Sequence, residues 1–174
     1  FGVCRAFLYL HSRRPCIVHG DLKGANVLVE GSGEAVRPKL LDFGLARVLR
    51  RNARPLGGTL TWMAPEVLQG ARPRCSADIF SLGMLLHFVA TRAHPRAGMS
   101  KRALKRALRT AQPVSLSWLT DAAFQPHCRP LVEACLLVDE QSRPSMAVVF
   151  EAVSAWPRQP GAAAHHGSAG SLEW

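Results

Sequence analysis

Apolar residues recur along the chain at helical spacing, in short strand-like runs, and between Gly and Pro breaks, and this pattern predicts most of its elements. Val3, Phe7 and Leu10, with Ala6 beside them, lie at helical spacing. The chain therefore opens in a helix ending near Arg13, where Pro15 stops it. Two short runs, Val27-Leu28-Val29 and Lys39-Leu40-Leu41, flank Gly31-Ser32-Gly33 and predict a small hairpin rather than a large sheet. From Leu45 to Gly58 the chain is basic and broken by Pro55, Gly57 and Gly58, the pattern of a mobile loop. Pro65-Glu66-Val67-Leu68 predicts a short helix with proline in its first turn. Ser76 is a candidate N-cap for a longer helix through about Ala90, with Leu82, Leu85, Leu86 and Val89 as its buried stripe. Ser100 to Thr110 predicts a basic amphipathic helix. Pro130 to Val138 and Ser145 to Ala155 predict two more helices, separated by Asp139-Glu140-Gln141-Ser142. After Trp156 the composition shifts to Pro, Gly, Ala, His and Ser, so Pro157 to Trp174, with His165-His166, reads as a flexible tail. No internal repeat is visible.

Composition narrows the class. The 174 residues suit one domain with a real core. Apolar residues make up 48% of the chain and mean hydropathy is near zero, a soluble, globular balance. No apolar run approaches the roughly 18 residues that span a bilayer. The chain starts at Phe1 inside an apolar-periodic segment without a signal-peptide layout, which predicts a fragment of a longer protein. Cys4, Cys16, Cys75, Cys128 and Cys135 form no C-x-x-C pair and are odd in number. That argues against a zinc site or a disulfide framework and for reduced, mostly buried thiols in an intracellular, cytoplasmic protein.

The net charge of +10 raises nucleic acid as a partner. The charge is uneven: no acid lies between Asp78 and Asp121, where Arg92, Arg96, Lys101, Arg102, Lys105, Arg106 and Arg109 are all basic. No zinc-finger spacing or interleaved aromatics accompany them, so no specific nucleic-acid partner is expected. A solvated helix face is the simpler reading.

The stretch Val18 to Val29, V-H-G-D-L-K-G-A-N-V-L-V, sets an acid, a lysine and an asparagine within six residues. Asp42-Phe43-Gly44 follows the second strand, and Ala64-Pro65-Glu66 closes the loop beyond it. Each motif alone is weak. Together, with His19-Gly20-Asp21 and Asn26, they stand in the order of catalytic loop, D-F-G, activation segment and A-P-E. From Phe1 to Trp156 the chain resembles the C-terminal lobe of a eukaryotic protein kinase. The resemblance implies a protein-kinase-like α+β fold, this chain being its mainly α-helical C-terminal lobe with a small β-hairpin by the catalytic loop. It also implies one domain over residues 1–156, without the N-terminal lobe, followed by a tail over residues 157–174.

The same resemblance implies roles. Asp21 matches the carboxylate that orients a substrate hydroxyl and accepts its proton. Lys23 offsets charge on the transferring phosphate of ATP, which makes it both catalytic and nucleotide-binding. Asn26 and Asp42 match the hard oxygen ligands of Mg²⁺, and Asp42 would bridge metal and phosphates. As isolated residues, each would read as a turn or cap residue. Thr59 resembles the threonine that bonds the catalytic Asp and Lys, Asp78 the helix aspartate that anchors the catalytic-loop backbone, and Arg143 the partner of Glu66. A lysine two positions after the aspartate looks like the Ser/Thr pattern. The phrases G-D-L-K-G-A-N-V-L-V and G-T-L-T-W-M-A-P-E look most like the tyrosine-kinase-like group, whose members mostly modify Ser and Thr.

The reading is thus an ATP- and Mg²⁺-dependent Ser/Thr protein kinase acting on protein substrates. The alternatives are a pseudokinase or docking scaffold and, on net charge alone, a nucleic-acid-binding module. A scaffold has no chemical need for Asp21, Lys23, Asn26 and Asp42. Departures from the family pattern are plain. No glycine-rich loop, lysine strand or helix glutamate precedes the catalytic loop, so the chain alone should bind ATP poorly and have little or no activity. Gly20 replaces the arginine that in the family pairs with an activation-loop phosphate, and Leu45 to Gly58 contains no Ser, Thr or Tyr. The expectation is a kinase not switched on by phosphorylation of that loop. The basic helix over Ser100–Arg109 falls where kinases often dock partners, which suggests an acidic partner there.

Overall fold

The computed structural model describes residues 1–32, 35–48, 59–110, 112–118 and 125–157. Gly33, most of the Leu45–Gly58 loop and the tail beyond Pro157 lie outside the described residues. Helix α1 (Gly2–Ser12) buries Val3, Phe7 and Leu10, as their spacing predicts, with Cys4 buried in addition and Ala6 only half-buried. Strands β2 (Val27–Glu30) and β3 (Arg37–Leu40) form the predicted antiparallel hairpin, with Val27 opposite Leu40 and Glu30 opposite Arg37. A second ribbon, not predicted, pairs β1 (Ile17–Val18) with β4 (Arg47–Val48). Two-residue strands have no period to read, so only their pairing reveals them. The ribbon ties the chain just before the catalytic loop to the chain just after Asp42-Phe43-Gly44.

Helices α2 (Pro65–Leu68), α4 (Lys101–Arg109) and α6 (Met146–Ser154) form near their predicted places. Ser145 caps α6 by accepting from the Val148 amide at 3.4 Å. Helix α5 (Gln125–Cys135) starts and ends earlier than predicted, with Pro130 inside it. Helix α3 (Cys75–Thr91) corrects two expectations. Its N-cap is Arg74, and the Ser76 hydroxyl instead donates to Glu140. It also has no single buried stripe: Ile79, Phe80, Leu82, Met84 and Leu85 are all buried, whereas Val89 is 61% exposed. A helix enclosed on nearly all sides is the pillar of the core, and amphipathic spacing fades in it. Gly83 allows its closest approach to α5, because a Cβ there would lie 2.7 Å from the Cys135 Cβ.

The cysteine expectation also needs correcting. Cys16 and Cys75 are paired as a disulfide, while Cys4, Cys128 and Cys135 are buried and lie outside that bond. The two partners are 59 residues apart in sequence, and folding the segment before β1 onto the start of α3 brings them together. No local spacing signals such a pair.

Glu66 on α2 and Arg143 meet as expected. The guanidinium donates from Nη1 and Nη2 to the two carboxylate oxygens at 2.7 and 2.9 Å. It also donates to the carbonyls of Leu137, Ser76 and Val138 and lies over the Phe80 ring. One buried cation thus joins α2, α3 and the turn before α6.

Candidate active site

The loop from His19 to Lys23 is held from below by Asp78, in the first turn of α3 and 1% exposed. Its two oxygens accept from the backbone amides of His19 and Gly20, both at 2.9 Å. His11 of α1 also reaches Asp78, with Nε2 3.0 Å from Oδ2. A buried carboxylate with three donors is well satisfied, and it fixes the backbone of a loop that has no ladder of its own. Gly20 takes a positive φ of 80° here, a conformation open to glycine at little cost.

His19 is fully buried and links the loop to Asp42-Phe43-Gly44. Its Nδ1 accepts from the Asp21 amide at 3.3 Å, so Nε2 carries the hydrogen donated to the Leu41 carbonyl at 3.0 Å. Its ring meets Phe43 edge-on, with centroids 5.2 Å apart. In the sequence His19 stands only as the first residue of His19-Gly20-Asp21, and nothing local signals its bond to the distant Leu41 carbonyl.

Around Asp21 the predicted residues converge. Lys23 Nζ donates to Asp21 Oδ2 at 2.9 Å and to the Thr59 hydroxyl at 3.0 Å. The Thr59 amide donates to Asp21 Oδ1 at 3.0 Å. Burial alone would raise the Asp21 carboxyl, but the hydrogen bonds from Lys23 and Thr59 and the Lys23 charge outweigh it and hold the pKa below the usual value. Such a carboxylate is ionised at neutral pH and suits orienting a hydroxyl more than early proton abstraction.

A 3₁₀ turn over Gly24–Asn26 brings Asn26 back beneath Asp21. Its Nδ2 donates to the Asp21 carbonyl at 2.8 Å and to Oδ2 at 3.3 Å. With the amide nitrogen so committed, Oδ1 is the atom left to face a cation. Asp42 stands at the same end of the hairpin, because the amide of its neighbour Leu41 donates to the Asn26 carbonyl at 2.8 Å. It is exposed, has a positive φ of 57°, and accepts from the Gly44 amide through Oδ1. Aspartate tolerates that region better than most non-glycine residues, because its short side chain can bond to nearby backbone, as Oδ1 does here with the Gly44 amide. Among the described residues, no hydrogen bond or ion pair joins Asp42 to Asp21, Lys23 or Asn26. The structure therefore gathers Asp21, Lys23, Asn26 and Thr59 into one network and leaves Asp42 beside it.

This donor set fits Mg²⁺. Asn26 Oδ1 and the Asp42 carboxylate are hard oxygens, and such ions commonly keep waters and phosphate oxygens in the remaining positions. Among the described residues no group of three or more His, Cys, Asp and Glu forms a denser metal cage.

Arg96, between α3 and α4, was singled out in the sequence only as one of a run of basic residues. Its Nη1 donates to the carbonyls of Leu60, Thr61 and Met63 at 3.0, 3.2 and 3.3 Å. Burial lowers the guanidinium to about 10, which leaves it charged at neutral pH.

Comparison with known proteins bears on the same residues. A family model described as the protein kinase domain matches residues 2–153, which include every residue of the network above. The chain belongs to the protein kinase family. Among curated relatives of this kinase-family chain, the "Probable serine/threonine-protein kinase drkD" of Dictyostelium discoideum is 35% identical over 151 residues. The serine/threonine-protein kinase CTR1 of Arabidopsis thaliana is 30% identical over 159 residues, and the serine/threonine-protein kinase dst3 of Dictyostelium discoideum 32% over 146. These alignments cover 86%, 87% and 83% of this chain but only 11%, 18% and 25% of the three relatives. The fold is therefore a protein kinase fold, seen here as its mainly helical part with the hairpin at the catalytic loop. Among the described residues no helix is long and apolar enough to cross a membrane.

Proposed function

We propose that this chain carries the phosphoryl-transfer residues of a protein Ser/Thr kinase, residues 1–156 being its C-terminal lobe. The observation behind this reading is the Asp21–Lys23–Thr59 triangle, with Asn26 locked beneath it. Asp21 orients a Ser or Thr hydroxyl of a protein substrate. As the hydroxyl oxygen bonds to the γ-phosphorus of ATP, the bond to the bridging oxygen breaks, ADP leaves, and the hydroxyl proton passes to Asp21. Lys23 offsets charge on the transferring group. Mg²⁺, when bound by Asn26 Oδ1 and Asp42, would neutralise phosphate charge. Lys23, two positions after Asp21, supports the Ser/Thr assignment, and the phrases G-D-L-K-G-A-N-V-L-V and G-T-L-T-W-M-A-P-E support the tyrosine-kinase-like group.

The test is phosphate transfer by the full-length protein, with acid hydrolysis of the product to separate phosphoserine and phosphothreonine from phosphotyrosine. Wild type should transfer to Ser or Thr, and Asp42→Asn should not. A wild type as inactive as Asp42→Asn would favour the alternative, a pseudokinase or docking scaffold.

The same proposal gives the protein substrate an acidic docking segment. Helix α4 exposes Lys101, Arg102, Lys105, Arg106 and Arg109, and among the described residues none of the five is in an ion pair. Like charges four apart destabilise a helix by about 0.2–0.5 kcal/mol per pair, a cost that an acidic partner relieves. The helix packs on α2, where the Gln69 side chain donates to the Arg109 carbonyl at 3.2 Å. An acidic peptide should bind more weakly as salt rises and lose binding in a Lys105→Glu/Arg106→Glu variant; equal binding of acidic and basic peptides would dismiss the surface.

A further inference from the structure

The turn over residues 59–63 sets Thr59 onto Asp21 and Lys23, yet its own backbone bonds are few. The Trp62 amide donates to the Thr59 carbonyl at 2.9 Å, and the Met63 amide to the Leu60 carbonyl at a long 3.4 Å. The carbonyls of Leu60, Thr61 and Met63, the first of them already the acceptor of that long bond, all converge on one nitrogen, Arg96 Nη1. The guanidinium lies over the Phe80 ring, 5.6 Å from its centroid, and so is braced against the central helix. Arg96 has a positive φ of 55°, a conformation that L-residues keep only where their surroundings hold them. Among the described residues it has no carboxylate partner. A part-buried cation is thus committed to the backbone of one turn, and charge-assisted bonds of this kind are roughly twice as strong as neutral ones.

Two absences in the sequence give this contact its meaning. Gly20 provides no cation beside Asp21, and Leu45 to Gly58 offers no hydroxyl to phosphorylate. We propose that Arg96 is a positioning residue that holds the 59–63 turn in its transfer-competent place without any phosphate, so that a cation built into the α3–α4 connection orders the substrate side of the site. This rests on the kinase reading above. It makes the turn's order a property of the folded chain rather than of a modification.

The test uses the full-length protein as wild type, Arg96→Met, Arg96→Lys and Asp42→Asn. In Arg96→Met the peptide KM should rise about tenfold, equivalent to about 1.4 kcal/mol, while the KM for ATP stays within about twofold. Arg96→Lys, which keeps the charge but not the planar fork, should fall between. Amide hydrogen exchange at Thr59, Trp62 and Met63 should quicken in Arg96→Met while α3 from Phe80 to Leu85 keeps its protection. Unchanged exchange in the turn, or exchange that quickens equally along α3, overturns the proposal. So does a loss of activity on phosphatase treatment that maps to Thr59 or Thr61. If wild type and Asp42→Asn are equally inactive, the kinase reading fails, and the exchange measurement still decides whether Arg96 holds the turn.

Discussion

Removing the Glu66 carboxylate leaves the Arg143 guanidinium inside the protein without its counter-ion. The Arg143 side chain is 0% exposed and that of Glu66 is 14% exposed. Breaking a buried pair by deleting one partner costs about 3–5 kcal/mol, whereas a solvent-exposed pair is worth about 0–1. The structure points to the lower end of the buried range. Arg143 would keep its bonds to the carbonyls of Leu137, Ser76 and Val138 and its place over Phe80, so the orphaned charge is partly solvated by the protein. Glu66→Ala should therefore cost about 3 kcal/mol, and Glu66→Gln, which keeps one acceptor oxygen, about half as much. Urea denaturation reads this directly. With an m-value of about 2 kcal/mol per molar, the Glu66→Ala midpoint falls by about 1.5 M at unchanged slope. The loss should persist in about 1 M salt, because a buried pair is poorly screened. A loss below about 1 kcal/mol, or one that disappears in high salt, would refute the claim that this pair is a buried strut of the lobe.

Two further outcomes follow from the catalytic loop. The Asp21 carboxyl has a depressed pKa in the folded state, so its contribution to stability is present above the unfolded value of about 4 and is lost as pH falls through the folded value. The stability of wild type relative to Asp21→Asn should therefore be greater at about pH 6 than at about pH 2, and denaturation at both pH values checks the sign. Gly20→Ala forces a Cβ onto a φ of 80°, although that Cβ would lie 3.4 Å from the Leu45 carbonyl oxygen, in contact without a clash. Backbone strain alone should then cost about 1–2 kcal/mol in the denaturation midpoint, and a neutral result would show that the loop relaxes freely.

Much of the site was legible because it is local. Asp21, Lys23 and Asn26 lie within six residues, and Asp42 and Glu66 sit in short motifs whose order could be read directly. Thr59, Asp78 and Arg143 were placed by resemblance, and their contacts occur where that resemblance put them. Position alone did not reveal how the parts are joined. His19 bonds across to the Leu41 carbonyl, and His11 reaches Asp78 from 67 residues away. The Arg96 grip on Leu60, Thr61 and Met63 spans 33 to 36 residues. No local pattern of apolar or charged residues encodes a bond to a distant backbone carbonyl.

The amino-acid sequence by itself determined the helices with an exposed face, the hairpin, the basic surface of α4 and the polar residue types brought together around Asp21. These depend on spacings of two to four residues, over which backbone geometry sets which side chains share a face. Tertiary structure alone decided the two-residue β1–β4 ribbon, the Cys16–Cys75 pair, the enclosure of α3 on nearly all sides and the anchoring of the 59–63 turn by Arg96. Each joins segments far apart in the chain, and their closeness results from packing around the central helix rather than from any neighbouring residue.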